Sequence, residues 1–116
     1  MTLMKVKTHR MGGTPIVELS GELDISTAQE VDGELVRLDQ ERPPVIVLDL
    51  RALSFIDSTG LRSILAADAR CRLYGGRLVI VPGPAGVHRV FRISLLDQRL
   101  EFTDDLDALV AEGGGR

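Results

Sequence analysis

The sequence predicts a single α/β domain: a mixed sheet of four to five strands flanked by about four helices. Three observations lead there. Val45–Leu50 (VIVLDL) and Arg77–Val81 (RLVIV) are almost continuously apolar, the pattern of strands covered on both faces. Apolar residues at helical spacing precede the first run and fill the interval between the two. A glycine pair near the N-terminus joins two strand-like segments, as in a hairpin.

Each element has its own signal. In Leu3–His9, Met4, Val6 and Thr8 alternate with Lys5, Lys7 and His9, which predicts a half-buried strand. Met11-Gly12-Gly13 marks the turn. Thr14–Ser20 (TPIVELS) is the second strand, and Pro15, with no N–H to offer a ladder, belongs at its start or at an edge. After Gly21–Ile25 a helix is expected. Ser26 is its cap, with Gln29 at capping-box spacing, and Ala28, Val31, Leu35 and Leu38 form one apolar face. Gly33 weakens this helix by about 1 kcal/mol relative to alanine, and Pro43-Pro44 ends it. Val45–Leu50 is the third strand and Arg51–Asp57 a link. A helix from Ser58 to Tyr74 turns Leu61, Ile64, Leu65 and Ala69 inward and stops at Gly75-Gly76, where glycine accepts the left-handed conformation. Arg77–Val81 is a fourth strand and Pro82–Gly86 a loop. Val87–Ile93 is a short helix with Val87, Val90 and Phe91 inward. Leu100–Phe102 is a short strand. Thr103 caps a last helix bearing Leu106, Leu109 and Val110, and residues 113–116 are expected to fray.

This order makes the strands parallel around helical crossovers. The segments Gly21–Ile25, Arg51–Ser58 and Pro82–Gly86 are then expected on one edge of the sheet, where open α/β sheets place their sites.

Composition narrows the function. The chain has 116 residues, enough for one self-sufficient core. Fourteen basic residues against 17 acidic ones leave a formal charge of −3, the wrong sign for a nucleic-acid-binding face. Aromatics are 3% with no tryptophan, too few for base stacking. One cysteine, Cys71, excludes a disulfide framework and a multi-cysteine metal site. No apolar run reaches the ~18 residues of a membrane span, and Met1–Lys5 lacks the apolar stretch of a signal peptide. A cytoplasmic domain without metal or cofactor is expected.

The chemistry concentrates in Phe55-Ile56-Asp57-Ser58-Thr59-Gly60-Leu61. An aspartate and a serine where a loop enters a helix are ordinary N-cap residues, whose oxygens accept from free backbone N–H groups. The same geometry exposes a hydroxyl, and a phosphate placed on it would meet unpaired N–H groups and the positive end of the helix dipole. Gly60 leaves one side of the turn bare, open to the backbone of another protein.

Two stretches resemble the STAS domain family, and within it the bacterial anti-sigma factor antagonists. Gly21-Glu22-Leu23-Asp24-Ile25-Ser26-Thr27-Ala28 is similar to the family's G-x-L-D-x-x-T-A entry to the first helix. Asp57-Ser58-Thr59-Gly60-Leu61 is similar to its D-S-[ST]-G-L phosphorylation motif. The resemblance covers nearly the whole chain and implies a STAS domain over residues 1–112. It implies that an anti-sigma factor with serine kinase activity binds the unphosphorylated protein, releasing a sigma factor, and uses ATP to phosphorylate Ser58. A serine phosphatase reverses the mark. It implies partner contacts at Asp24, Asp57, Thr59 and Gly60. Arg62 departs from the small residue usual after Gly-Leu. A long cation there can alter which kinase docks, or bridge to a phosphate on Ser58 at i,i+4 spacing.

Other readings stand beside this one. A STAS accessory subunit of a lipid-transport complex or a stressosome-type scaffold has the same fold. Ser58, His88 and Asp24 are the inventory of a hydrolase triad if they share an edge, although the serine is not in G-x-S-x-G. Asp24 alone can serve the N-terminus of the first helix, and Cys71, between Arg70 and Arg72, reads as packing.

Overall fold

The computed structural model describes residues 3–114. Five strands form one sheet in the order β1-β2-β3-β4-β5. They are β1 (Lys5–Met11), β2 (Thr14–Leu23), β3 (Val45–Ile56), β4 (Arg77–Val81) and β5 (Glu101–Phe102). β1 runs antiparallel to β2, and every other pairing is parallel. The helices are α1 (Ala28–Asp39), α2 (Ser58–Leu73), α3 (Ala85–Ile93) and α4 (Leu106–Leu109). α4 continues as a wider π-type turn over Val110–Gly114. Gly113 and Gly114 belong to this turn, and 115–116 lie outside the described residues.

The β1–β2 hairpin closes through Gly12 and Gly13, both at positive φ (57° and 86°), with Met11 opposite Thr14. A two-residue turn of this hand matches the twist of its strands. Pro15 faces Arg10 across β1, one residue before the pairing with β3 begins at Ile16 and Val47. It costs no inner ladder bond there.

Two apolar layers hold the sheet. One face carries Val17, Leu19, Leu23, Ile46, Leu48, Leu50, Leu53, Ile56, Leu78 and Ile80. It packs against α1 (Ala28, Val31, Leu35, Leu38), α2 (Leu61, Ile64, Ala67, Cys71) and α3 (Val87, Phe91). The α1 residues are the face that periodicity predicts. On α2, Leu65 is half-buried and Ala69 is exposed, because the buried stripe runs through Ser63, Ala67 and Asp68 instead. The opposite face shows Ile16, Val45, Val47, Val79 and Val81 and is covered by Leu109, with Leu106, Val110 and Met11 around it. Among the described residues no helix is long and apolar enough to cross a membrane.

Several boundaries differ from expectation for local reasons. Ser26 does not cap α1: Thr27 is the N-cap residue, without a side-chain capping bond, and Ser26 lies in the preceding turn. α1 ends at Asp39, before the prolines, because Arg42 adopts a left-handed conformation (φ 47°) ahead of Pro43. A residue before proline avoids the helical region. Asp105, not Thr103, caps α4 by accepting from Ala108 N–H at 3.0 Å, and Thr103 Oγ1 accepts from Asp105 N–H at 3.2 Å.

The largest difference positions the site. β2 continues through Gly21–Leu23 and β3 through Arg51–Ile56, both expected as loops. They pair with each other (Gly21 opposite Leu53, Glu22 opposite Phe55, Leu23 opposite Ile56) across two register irregularities. β4 stops at Val81, opposite Asp49. β1 stays paired with β2 as far as Ser20, opposite Ala52. Past it β2 and β3 continue as a two-stranded arm with Leu3 and Met4 beside Gly21, and Asp24 and Asp57 follow its two tips.

Candidate functional site

The arm brings the two motif segments together. Asp57 N–H donates to the Leu23 carbonyl at 3.2 Å, the last rung before the chains diverge, and the Ser54 hydroxyl donates to the Gly21 carbonyl at 3.0 Å. The Asp24 loop and the Ser58 turn thus leave adjacent strands side by side, as the parallel topology requires. The Pro82–Gly86 loop does not join them. It leaves β4 seven residues short of the Ile56 tip, roughly 20 Å back along the strand at ~3.3 Å per residue. There Gly83 packs against the Leu50 carbonyl.

Asp57 caps α2. Its carboxylate accepts from Thr59 N–H at 2.9 Å and from Gly60 N–H at 3.0 Å, and its carbonyl accepts from Leu61 N–H at 3.0 Å. The amides of Thr59, Gly60 and Leu61 are therefore already engaged, whereas the Ser58 N–H has no partner among the described residues. The expectation that a phosphate on Ser58 meets free N–H groups is narrowed to the Ser58 N–H, because Asp57 takes the next three. Ser58 is the first residue of α2, exposed, and its hydroxyl has no hydrogen-bond partner among the described residues. Thr59 is half-buried.

Gly60 is buried, and its missing side chain faces inward. A Cβ there would stand 2.7 Å from Leu23 Cγ and 2.9 Å from Ile56 Cγ1. The bare side of the turn is filled by the protein's own core and does not open to a partner. The glycine lets α2 sit directly on the tip of the arm.

Asp24 organises the other loop. Its carboxylate accepts from the Ser26 hydroxyl at 2.7 Å and from Ser26 N–H at 3.0 Å. Its own N–H donates to Thr27 Oγ1 at 2.9 Å, and the Thr27 hydroxyl donates to the Glu22 carbonyl at 2.8 Å. The Ser26 hydroxyl bond holds the Asp24 carboxyl below its ordinary pKa, so this loop presents a firm negative charge. Arg62 lies on the exposed side of α2 and lines a groove of about 370 Å³ between α1 and α2 with Asp32, Thr59, Ser63, Ala66 and Arg70.

Two residues that sequence reasoning did not single out stand beside this site. Ile25 is 80% exposed next to Asp24, and Phe55 is 46% exposed near the end of β3. An apolar residue between polar ones in a loop was the available signal for Ile25. Phe55 became visible only once β3 was seen to run to Ile56.

The hydrolase inventory is not assembled. His88 sits on α3 with its ring against Phe102 and Phe91, at centroid separations of 5.1 and 6.1 Å. Phe102 belongs to edge strand β5, beyond β4, whereas Asp24 and Ser58 follow β2 and β3. Cys71 is buried in the main core, and desolvation pushes its thiol pKa up, the opposite of an activated cysteine. Among the described residues no cluster of three or more His, Cys, Asp or Glu is arranged to hold a metal ion.

Comparison with known proteins agrees with this architecture. The chain is 34% identical over 103 residues to an anti-sigma F factor antagonist of Paenibacillus polymyxa, covering 88% of this chain and 86% of that one. Its fold superposes on an anti-sigma factor antagonist from Mycobacterium paratuberculosis with a TM-score of 0.84, at 24% identity and covering 95% and 93% of the two chains. It superposes on unphosphorylated SpoIIAA with a TM-score of 0.68, at 20% identity over 95% and 96%. The family model of the STAS domain matches residues 5–109, and the chain belongs to the STAS domain family.

Proposed function

We propose that this chain is an anti-sigma factor antagonist switched by phosphorylation of Ser58. Unphosphorylated, it binds an anti-sigma factor that is also a serine kinase, and a sigma factor is released. The kinase brings ATP. The Ser58 oxygen attacks the γ-phosphorus, the O–P bond forms as the bond to the ADP oxygen breaks, and the hydroxyl proton leaves to a base on the kinase. A serine phosphatase hydrolyses the phosphoester and restores the binding form.

The observation that carries this reading is an exposed, unengaged hydroxyl on the first residue of α2, at the end of the paired β2–β3 extension. A free hydroxyl can enter a kinase site without breaking any bond of its own. Ile25 and Phe55 supply apolar surface around it, and Asp24 and Asp57 supply fixed charge. Relatives named as anti-sigma factor antagonists support the partner class, and SpoIIAA, which shares the fold, has been solved in a phosphorylated form.

Incubation with the cognate kinase and ATP, followed by mass mapping, is expected to place one phosphate on Ser58. Ser58→Ala is expected to bind the partner and to lack the switch. Phosphate on Thr59 or Ser26 instead would sink the assignment.

A further inference from the structure

Phosphorylation at the start of a helix is usually eased by free backbone amides. Here Asp57 holds the amides of Thr59 and Gly60, and its carbonyl holds that of Leu61. A dianionic group on Ser58 also arrives next to the Asp57 carboxylate, with the Asp24 loop at the end of the adjacent strand. Of the amides at this helix start only that of Ser58 itself is left to this group, so its main counter-charge is a cation from elsewhere. α2 carries three arginines. Arg70 is paired with Asp39 at 2.6 Å and Arg72 with Asp68 at 2.9 Å. Arg62 is exposed and makes no ion pair or side-chain hydrogen bond among the described residues. It stands four residues after Ser58, and side chains at that interval are neighbours on one helix face.

We propose that Arg62 receives the phosphate: once Ser58 is phosphorylated, the Arg62 guanidinium closes on the phosphoryl oxygens with paired N–H···O bonds and holds the group against the first turn of α2. A planar fork suits this task, since it meets two oxygens at once. The closure also withdraws a free cation from the partner-facing surface. Phosphorylation then removes two features a partner can use, a neutral hydroxyl and an unpaired guanidinium.

The inference rests on Ser58 as the modified residue, and its test is independent of the kinase. Protein carrying phosphoserine at position 58 is made by incorporation during synthesis, in the native sequence and with Arg62→Gln or Arg62→Lys. The second ionisation of the phosphate is followed by phosphorus NMR across pH at low salt. Arg62 favours the dianion, so the native midpoint is expected about 0.3–0.7 pH unit below that of Arg62→Gln. Arg62→Lys is expected between them, and the difference is expected to shrink at high salt. Asp57 beside the phosphate, Asp24 in the neighbouring loop, Asp32 across the α1–α2 groove and Arg70 further along α2 are present in all three proteins and cancel in the comparison. Superposable titrations of native and Arg62→Gln phosphoproteins, with thermal melting showing both folded, would overturn the proposal. Failure of the kinase to modify Ser58 would instead strike the proposed function and leave this measurement standing.

Discussion

At the residue scale, Asp57 and Ser58 divide the labour of the helix start: one caps, the other stays free. Removing the Asp57 carboxylate orphans the amides of Thr59 and Gly60. Asp57→Ala is therefore expected to lower stability by about 1 kcal/mol, while Asp57→Asn, which keeps an accepting oxygen, loses less. Urea unfolding of the three proteins reads this directly. At Ser58 the prediction reverses, because the side chain makes no intramolecular bond. Ser58→Glu is expected to keep its melting temperature within about 3 °C while losing at least about tenfold in affinity for the partner, the cost of desolvating a charge where the partner would meet a neutral hydroxyl. Paired calorimetric titration and thermal melting test it. Equal affinity for fully phosphorylated and unphosphorylated protein would defeat the switch.

At the element scale, two glycines predict opposite outcomes for one substitution. Gly33 lies on the exposed side of α1 with open space where a Cβ would stand and without a positive φ. Gly33→Ala is expected to stabilise the protein by about 0.5–1 kcal/mol through helix propensity and a less flexible unfolded chain. Gly60 sits where α2 meets the arm, against Leu23 and Ile56. Gly60→Ala is expected to cost about 1–3 kcal/mol by overpacking, and to displace α2 and with it Ser58. Denaturant midpoints decide both signs, and a stabilising Gly60→Ala would refute the close packing. The two positions are alike to a composition count. Only the neighbours across α2 tell them apart.

At the scale of the whole molecule, acid is expected to loosen the fold through carboxylates held below their usual pKa. Burial by itself would raise Asp49, but the Arg51 guanidinium at 2.8 Å and the Arg51 N–H outweigh it and keep the carboxyl low. Glu34 is lowered by Arg37, despite some desolvation, and by the Thr8 hydroxyl, which ties α1 to β1. A group with a depressed folded pKa contributes stability above its unfolded pKa, and loses that contribution as pH falls through the folded value. The melting temperature is therefore expected to be flat near neutrality and to drop below about pH 4. Asp49→Asn should remove part of that slope. The second sheet face is covered mainly by α4 and the turn that continues it. Leu109→Ala is expected to destabilise by about 2–3 kcal/mol, at the low end for leucine truncation because Leu109 lies near the edge of its cluster. A thermal melt indistinguishable from the native protein would show that α4 does not seal this layer.

Much of this was legible in the chain itself. The buried residues of α1, the two continuous apolar strands, the glycine hairpin and the D-S-T-G-L segment are patterns within single elements. Burial imprints a period of 2 or 3.6 residues, or an unbroken run, directly on the sequence. The arm was not legible: Arg51, Ala52, Ser54 and Phe55 are exposed, only Leu53 and Ile56 of this stretch turn into the core, and the two strands pair through backbone bonds. Backbone pairing leaves no mark in side-chain hydropathy. For the same reason the inward side of Gly60, the engagement of the α2 amides by Asp57 and the separation of His88 from Ser58 were decided only by tertiary structure. Each depends on which elements meet, and the contacts that decide it join residues far apart in the chain.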